Sequence, residues 1–213
     1  MPAEDDIATL RRTALRLEYG TVAWNVGEAV LTLALGAIAS SLALIGFGTV
    51  SVIEVFASAV VVWHLRLGYE ASTSERTARA HRLVAIAFGA LTVALMVASV
   101  RDLVTGRQPD ASFWGIVYLA ITALVMFGLA TAKRRVANRL GSSPLASEAS
   151  MTFLDGMLST ATMVGLLLNA VMGWWWADPA AALLVAGAAA REAWENWSEA
   201  SEPAEEPRDA VNR

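Results

Sequence analysis

The chain contains no cysteine. That excludes disulfides, thiolate metal sites and a cysteine nucleophile. It has only two histidines, His64 and His81, so there is no histidine cluster. It has one lysine, Lys133, against fifteen arginines, a bias that, with the abundant alanine, fits a high-GC bacterial genome. No glycine-rich phosphate loop and no nucleophile–base pairing is visible, and no basic patch suited to nucleic acid exists beyond arginines that flank apolar runs. The reading is therefore not an enzyme and not a nucleic-acid binder. No solenoid-type repeat is present. The start, Met1 to Ile7, is acidic and no small-residue cleavage site follows it, so no removable signal peptide is expected. The Arg11-Arg12 pair reads as a topology anchor.

What the chain has in quantity is apolar length. Of 213 residues, 56% are hydrophobic, and the mean hydropathy is +0.49. A soluble domain of this size is less apolar. The apolar residues fall into runs of about 18 to 25, enough to cross roughly 30 Å of hydrocarbon as helix. Six spans are predicted, near 20–39, 42–65, 83–101, 113–132, 151–173 and 178–196. The expected fold is an all-α membrane protein with six transmembrane helices. It divides into a cytoplasmic N-terminal segment 1–18, a transmembrane domain 19–197 and a disordered acidic tail 198–213. The sixth span is the shortest, with Trp174–Trp176 before it and Trp194 and Trp197 near its end to mark the two membrane interfaces. Asp178 is expected to cap that helix, with Pro179 in its first turn. Gly36, Gly165, Ala181 and Gly187 are expected where helices pack closely.

Lys and Arg set the orientation. Arg11, Arg12 and Arg16 precede the first span. Arg66, Arg76, Arg79 and Arg82 lie between the second and third, and Lys133, Arg134, Arg135 and Arg139 between the fourth and fifth. The opposite connections carry only Arg101 and Arg107. The positive-inside rule puts both termini in the cytoplasm of a multi-pass protein of the cell inner membrane, in contact with membrane lipid.

Two short stretches share a pattern: Val50-Ser51-Val52-Ile53-Glu54 and Met151-Thr152-Phe153-Leu154-Asp155. Each reads apolar, hydroxyl, apolar, apolar, acid, inside a predicted span. A charge at membrane depth costs roughly 3 kcal/mol on insertion scales, so an acid there is a functional candidate. The matching positions suggest one polar site shared by the second and fifth helices. Asn25 and Glu28 lie three apart on one face of the first span. Glu148 lies about two turns before Asp155, toward the cytoplasm, at a site entrance. Each has a plainer reading: Glu28 as a helix-packing acid, Glu148 as a carboxylate favoured by a helix N-terminus, and Glu54 with Asp155 as a buried hydrogen-bonded pair. His64 and His81 read as interfacial polar residues, or as a loop metal site with Glu70 or Glu75.

The run Ser41-Leu42-Ala43-Leu44 before Glu54, the acid Asp155, and Ala177-Asp178-Pro179-Ala180-Ala181 together resemble the cation diffusion facilitator (cation efflux) family. The resemblance covers roughly residues 10–197 and is nearest to a branch without the family's cytoplasmic domain. It implies a six-helix cation-efflux-like bundle, often a homodimer, with a divalent metal held between the second and fifth helices. The ligand positions it implies are Val50, Glu54, Met151 and Asp155. Only Glu54 and Asp155 are ionisable here. Val50 cannot bind metal, and the Met151 thioether suits Cu(I) better than hard divalent ions. The implied function is proton-coupled efflux of a divalent cation, Zn²⁺ or Mn²⁺, by a reduced site of Glu54, Asp155, Glu148 and Glu28. No resident cofactor is implied. The alternative is a non-transporting membrane protein of the same fold that acts as partner or regulator. A third reading is a transporter of another small solute.

Overall fold

The computed structural model describes residues 4–38, 42–66, 74–106 and 113–201. All regular structure among them is helical. In chain order the helices are α1 (Glu4–Ile38), α2 (Leu42–Arg66), α3 (Ser74–Thr105), α4 (Phe113–Leu140), α5 (Ser143–Met172) and α6 (Ala177–Glu199). Each predicted span matches one of them, four lying wholly inside the helix and the first and fifth running one residue past its end. Among the described residues four helices, α2 to α5, are long and apolar enough to cross a membrane by length and composition. Large apolar side chains such as Val93, Val97, Leu124 and Leu184 stand outward on the bundle surface. Such a surface suits lipid, where every backbone group must be satisfied within the helix.

The helices overrun the apolar spans at the basic end. α1 starts sixteen residues before the predicted span and runs unbroken through residue 18, and α4 continues to Leu140. The extensions are amphipathic, and they bury a second small core. Leu10 and Ala14 of α1, Val61 and Leu65 of α2, Val136 and Ala137 of α4, and Leu145 of α5 pack together there. The Arg11 guanidinium donates to the Leu65 carbonyl, and Arg66 donates to the Tyr19 hydroxyl at 2.8 Å. His81 at the start of α3 meets Asn196 of α6 at 2.8 Å and Ser143 of α5 at 2.7 Å. Of the histidine metal-site reading, Glu70 lies outside the described residues and Glu75 is exposed.

Turns and close approaches are specified locally. Gly141 has φ 63°, a left-handed backbone that glycine adopts at no steric cost. It lets Ser142 N–H reach the Ala137 carbonyl at 3.1 Å, which folds α4 back onto α5. Gly165 is a true contact position: a Cβ there would stand 2.5 Å from Asp178 Cβ and 2.7 Å from its Cα. Gly187 is not one. It is exposed and has nothing within 4 Å. Gly36 lies outside the residues whose surroundings are described. The α6 cap also differs from expectation. The helix begins at Ala177 with Trp176 at the cap, so Asp178 sits inside the first turn. An acid in the first turn still lies at the positive end of the helix dipole.

Helices α2 and α5 form a partition. On one side Val50, Ala57 and Val60 of α2 and Met151, Leu154 and Leu158 of α5 pack with α3 (Phe88, Leu91) and α6 (Val185, Ala189). On the other side α1 and α4 close against them, and most of the buried polar side chains lie there.

Candidate functional site

The polar side is built from 3–4 spacings, which hold residues on one helix face. α1 buries Leu10, Ala14, Glu18, Thr21, Asn25, Glu28 and Thr32, while Val26, Val30 and Leu31 face outward. The helix is amphipathic in the sense suited to lipid, polar inward. α2 contributes Ser51, Glu54 and Ser58; α5 contributes Glu148, Thr152, Asp155 and Ser159. Each of these two stripes runs beside the apolar stripe that carries Val50 or Met151. The two elements with the shared sequence pattern therefore present equivalent polar faces to one interior.

The interior is a column of three layers. Farthest from the basic end, Glu28 is fully engaged. Its Oε2 accepts from Ser51 Oγ at 3.0 Å and its Oε1 from the Tyr118 hydroxyl. In the middle, Glu54 Oε2 accepts from Asn25 Nδ2 at 2.9 Å. Asp155 lies within electrostatic reach of Glu54 from the facing helix. In this layer Glu54 Oε1, Asp155 Oδ2 and Asn25 Oδ1 are buried and have no hydrogen-bond partner among the described residues. Nearest the basic end, Glu148 accepts from Ser58 Oγ at 2.8 Å and from Lys133 Nζ at 2.6 Å. Lys133 also lies 3.3 Å from Glu18 and 3.2 Å from Thr152 Oγ1. Glu148 and Asp155 are seven residues apart on α5, about 10 Å along the axis, which separates the layers.

The structure thus divides the four acids named from the sequence. Glu54 and Asp155 share a layer and keep free oxygens. Glu28 caps that layer through hydroxyl donors, and Glu148 is held in an ion pair below it. Among the described residues no three histidine, aspartate or glutamate side chains form a ready metal cage. Val50 and Met151, the other two implied ligand positions, pack in the apolar cluster.

Sequence reasoning missed Glu18, Ser58, Tyr118 and Lys133. Among its neighbouring arginines Lys133 reads only as a topology charge. Its phase was the available signal: Leu119, Thr122, Met126, Ala130, Lys133 and Ala137 make one buried stripe on α4. Glu18 is likewise seven residues, two turns, before Asn25 on the buried face of α1.

The fold and its interior define a helical membrane protein with an ionisable core lined by four of the six helices among the described residues. The chain belongs to the cation efflux family: the family model of the cation efflux transmembrane domain matches residues 21–202. The match spans α2 to α6 and the second half of α1, and with them all three layers except Glu18. No curated protein matches the chain.

Proposed function

We propose that the protein exports a divalent cation across the cytoplasmic membrane through the middle layer of the column, in exchange for protons. The observation that carries this is the set of unpartnered buried oxygens on Glu54, Asp155 and Asn25. A buried acceptor without a donor costs about 1–3 kcal/mol, and a cation between α1, α2 and α5 satisfies all three. The donors are oxygens, so hard ions such as Mn²⁺ are favoured over Zn²⁺, which prefers nitrogen and sulfur. Loading a cation onto carboxyls displaces protons from them, which supplies coupling without a nucleotide. The basic end faces the cytoplasm by the positive-inside rule. A homodimer is the assembly that the family resemblance implies.

The test is uptake of Mn²⁺ and Zn²⁺ into proteoliposomes under an imposed pH gradient. Wild type is expected to move Mn²⁺, and Glu54→Ala and Asp155→Ala each to reduce flux to the protein-free background. Flux unaffected by Glu54→Ala would overturn the site.

One observation favours the second reading, a non-transporting partner or regulator. Val50 and Met151 fill the remaining family ligand positions with packed apolar side chains. Refilling them decides between the two. Val50→Asp with Met151→His gives four N/O ligands on two facing helices, a set suited to tetrahedral Zn²⁺. No wild-type flux together with Zn²⁺ flux in the double variant would establish that transport was lost; Mn²⁺ flux in wild type would exclude the second reading.

A further inference from the structure

Lys133 is fully buried, with 0% of its surface exposed. Its ammonium is surrounded by oxygen-bearing side chains from α1 and α5, with one from α2 behind them. Glu148 of α5 lies at 2.6 Å, Glu18 of α1 at 3.3 Å and Thr152 of α5 at 3.2 Å. Ser58 of α2 completes the group through its 2.8 Å bond to the same Glu148. Two carboxylates and one hydroxyl meet the positive centre, with a second hydroxyl behind Glu148, and such oxygens are the donor set of a cation site for a hard ion. Nothing in this set is specific to an amine. Glu18 Oε1 has no hydrogen bond and meets the ammonium only as a charge.

We infer that Glu18, Glu148, Ser58 and Thr152 form a second cation site, in line with the middle layer, and that the Lys133 ammonium occupies it as a tethered cation. The side chain enters from α4, and the site lies between the middle layer and the basic end. A mobile ion passing between Glu54/Asp155 and that end has to meet it. The ammonium then acts as a fixed charge on the route: it neutralises the acids that would otherwise trap the ion, and it repels a second cation. The role on the route rests on the transport reading above, whereas the site itself rests on its own geometry.

The experiment counts Mn²⁺ bound to purified full-length protein in detergent, from the electron paramagnetic resonance signal of the free ion. Lys133→Met keeps the unbranched stem, ends one atom short of the ammonium position and removes the charge. It is expected to bind one more Mn²⁺ per chain than wild type. The added ion should persist in Lys133→Met/Glu54→Ala and vanish in Lys133→Met/Glu148→Gln. A folded Lys133→Met protein that gains no ion would overturn the inference, as would a gained ion that survives Glu148→Gln. Lys133→Met/Glu18→Gln, with one acid fewer, covers the case in which Lys133→Met does not fold. If neither folds with Mn²⁺ present while Lys133→Met/Glu18→Gln/Glu148→Gln does, a free cation does not replace the ammonium and the inference fails. Loss of wild-type flux would count against the transport reading alone, because the added ion is read without transport.

Discussion

Lys133 stands beside Arg134 and Arg135, yet only the lysine turns inward. The helix rotates about 100° per residue, so neighbours in sequence face different surroundings. Arg134 remains exposed and donates to the Ala146 carbonyl at 3.0 Å. Removing one member of a buried ion pair leaves the other charge uncompensated, at about 3–5 kcal/mol. Lys133→Ala is therefore expected to lower stability by that amount in metal-free detergent, whereas Arg135→Ala should change it by less than about 0.5 kcal/mol. Thermal unfolding of the two variants beside wild type measures the difference. Equal shifts for both would mean that the triad adds nothing. At this scale the sequence was partly legible. Glu54 and Asp155 stood out because acids are costly in apolar runs. Lys133 did not, because it lies among arginines that the positive-inside rule already explains. Glu18 was hidden in the same way, in a charged stretch that reads as lying outside the membrane.

At the scale of the element, all six helices were legible from apolar run length, and their ends were not. Hydropathy marks where lipid begins, while helix ends follow packing and backbone hydrogen bonds. The second core of Leu10, Val61, Val136 and Leu145 carries the helices past the apolar spans. The two adjacent stripes on α2 and α5 were also half visible. The four-residue spacing of Val50 and Glu54 reads as a single face, but the fold sends Val50 into the apolar cluster and Glu54 into the column. Close packing was readable only in part, since a glycine looks alike whether or not a neighbour presses on it. Gly165→Ala should destabilise the α5–α6 junction by about 1–3 kcal/mol, because the atoms it meets include Asp178 backbone. Gly187→Ala, in open space, should be neutral or favourable by up to about 1 kcal/mol. Unfolding midpoints for the pair give the comparison, and an unshifted Gly165→Ala would show that α6 can move away freely.

Across the whole molecule, two assemblies share one wall. Helices α1, α2, α4 and α5 surround the polar column, and α3 and α6 pack on the far side of α2 and α5 over an apolar core. The absence of native cysteine makes its orientation simple to measure. Asn138 and Thr105 are exposed at opposite ends of the bundle. Cysteines placed singly there are expected to react with a membrane-impermeant maleimide from the cytoplasmic side at position 138 and from the outside at position 105. External labelling at position 138 would reverse the topology. The buried lysine has a consequence of another kind. It is the one side-chain amine in the chain, and the closed bundle seals it off. A water-soluble acylating reagent has, besides the α-amino group, a single target, and that target becomes reachable only while the helices part at the basic end. The rate at which residue 133 gains an acyl mass tag is thus a built-in clock for that opening, readable on the unlabelled natural protein by mass spectrometry.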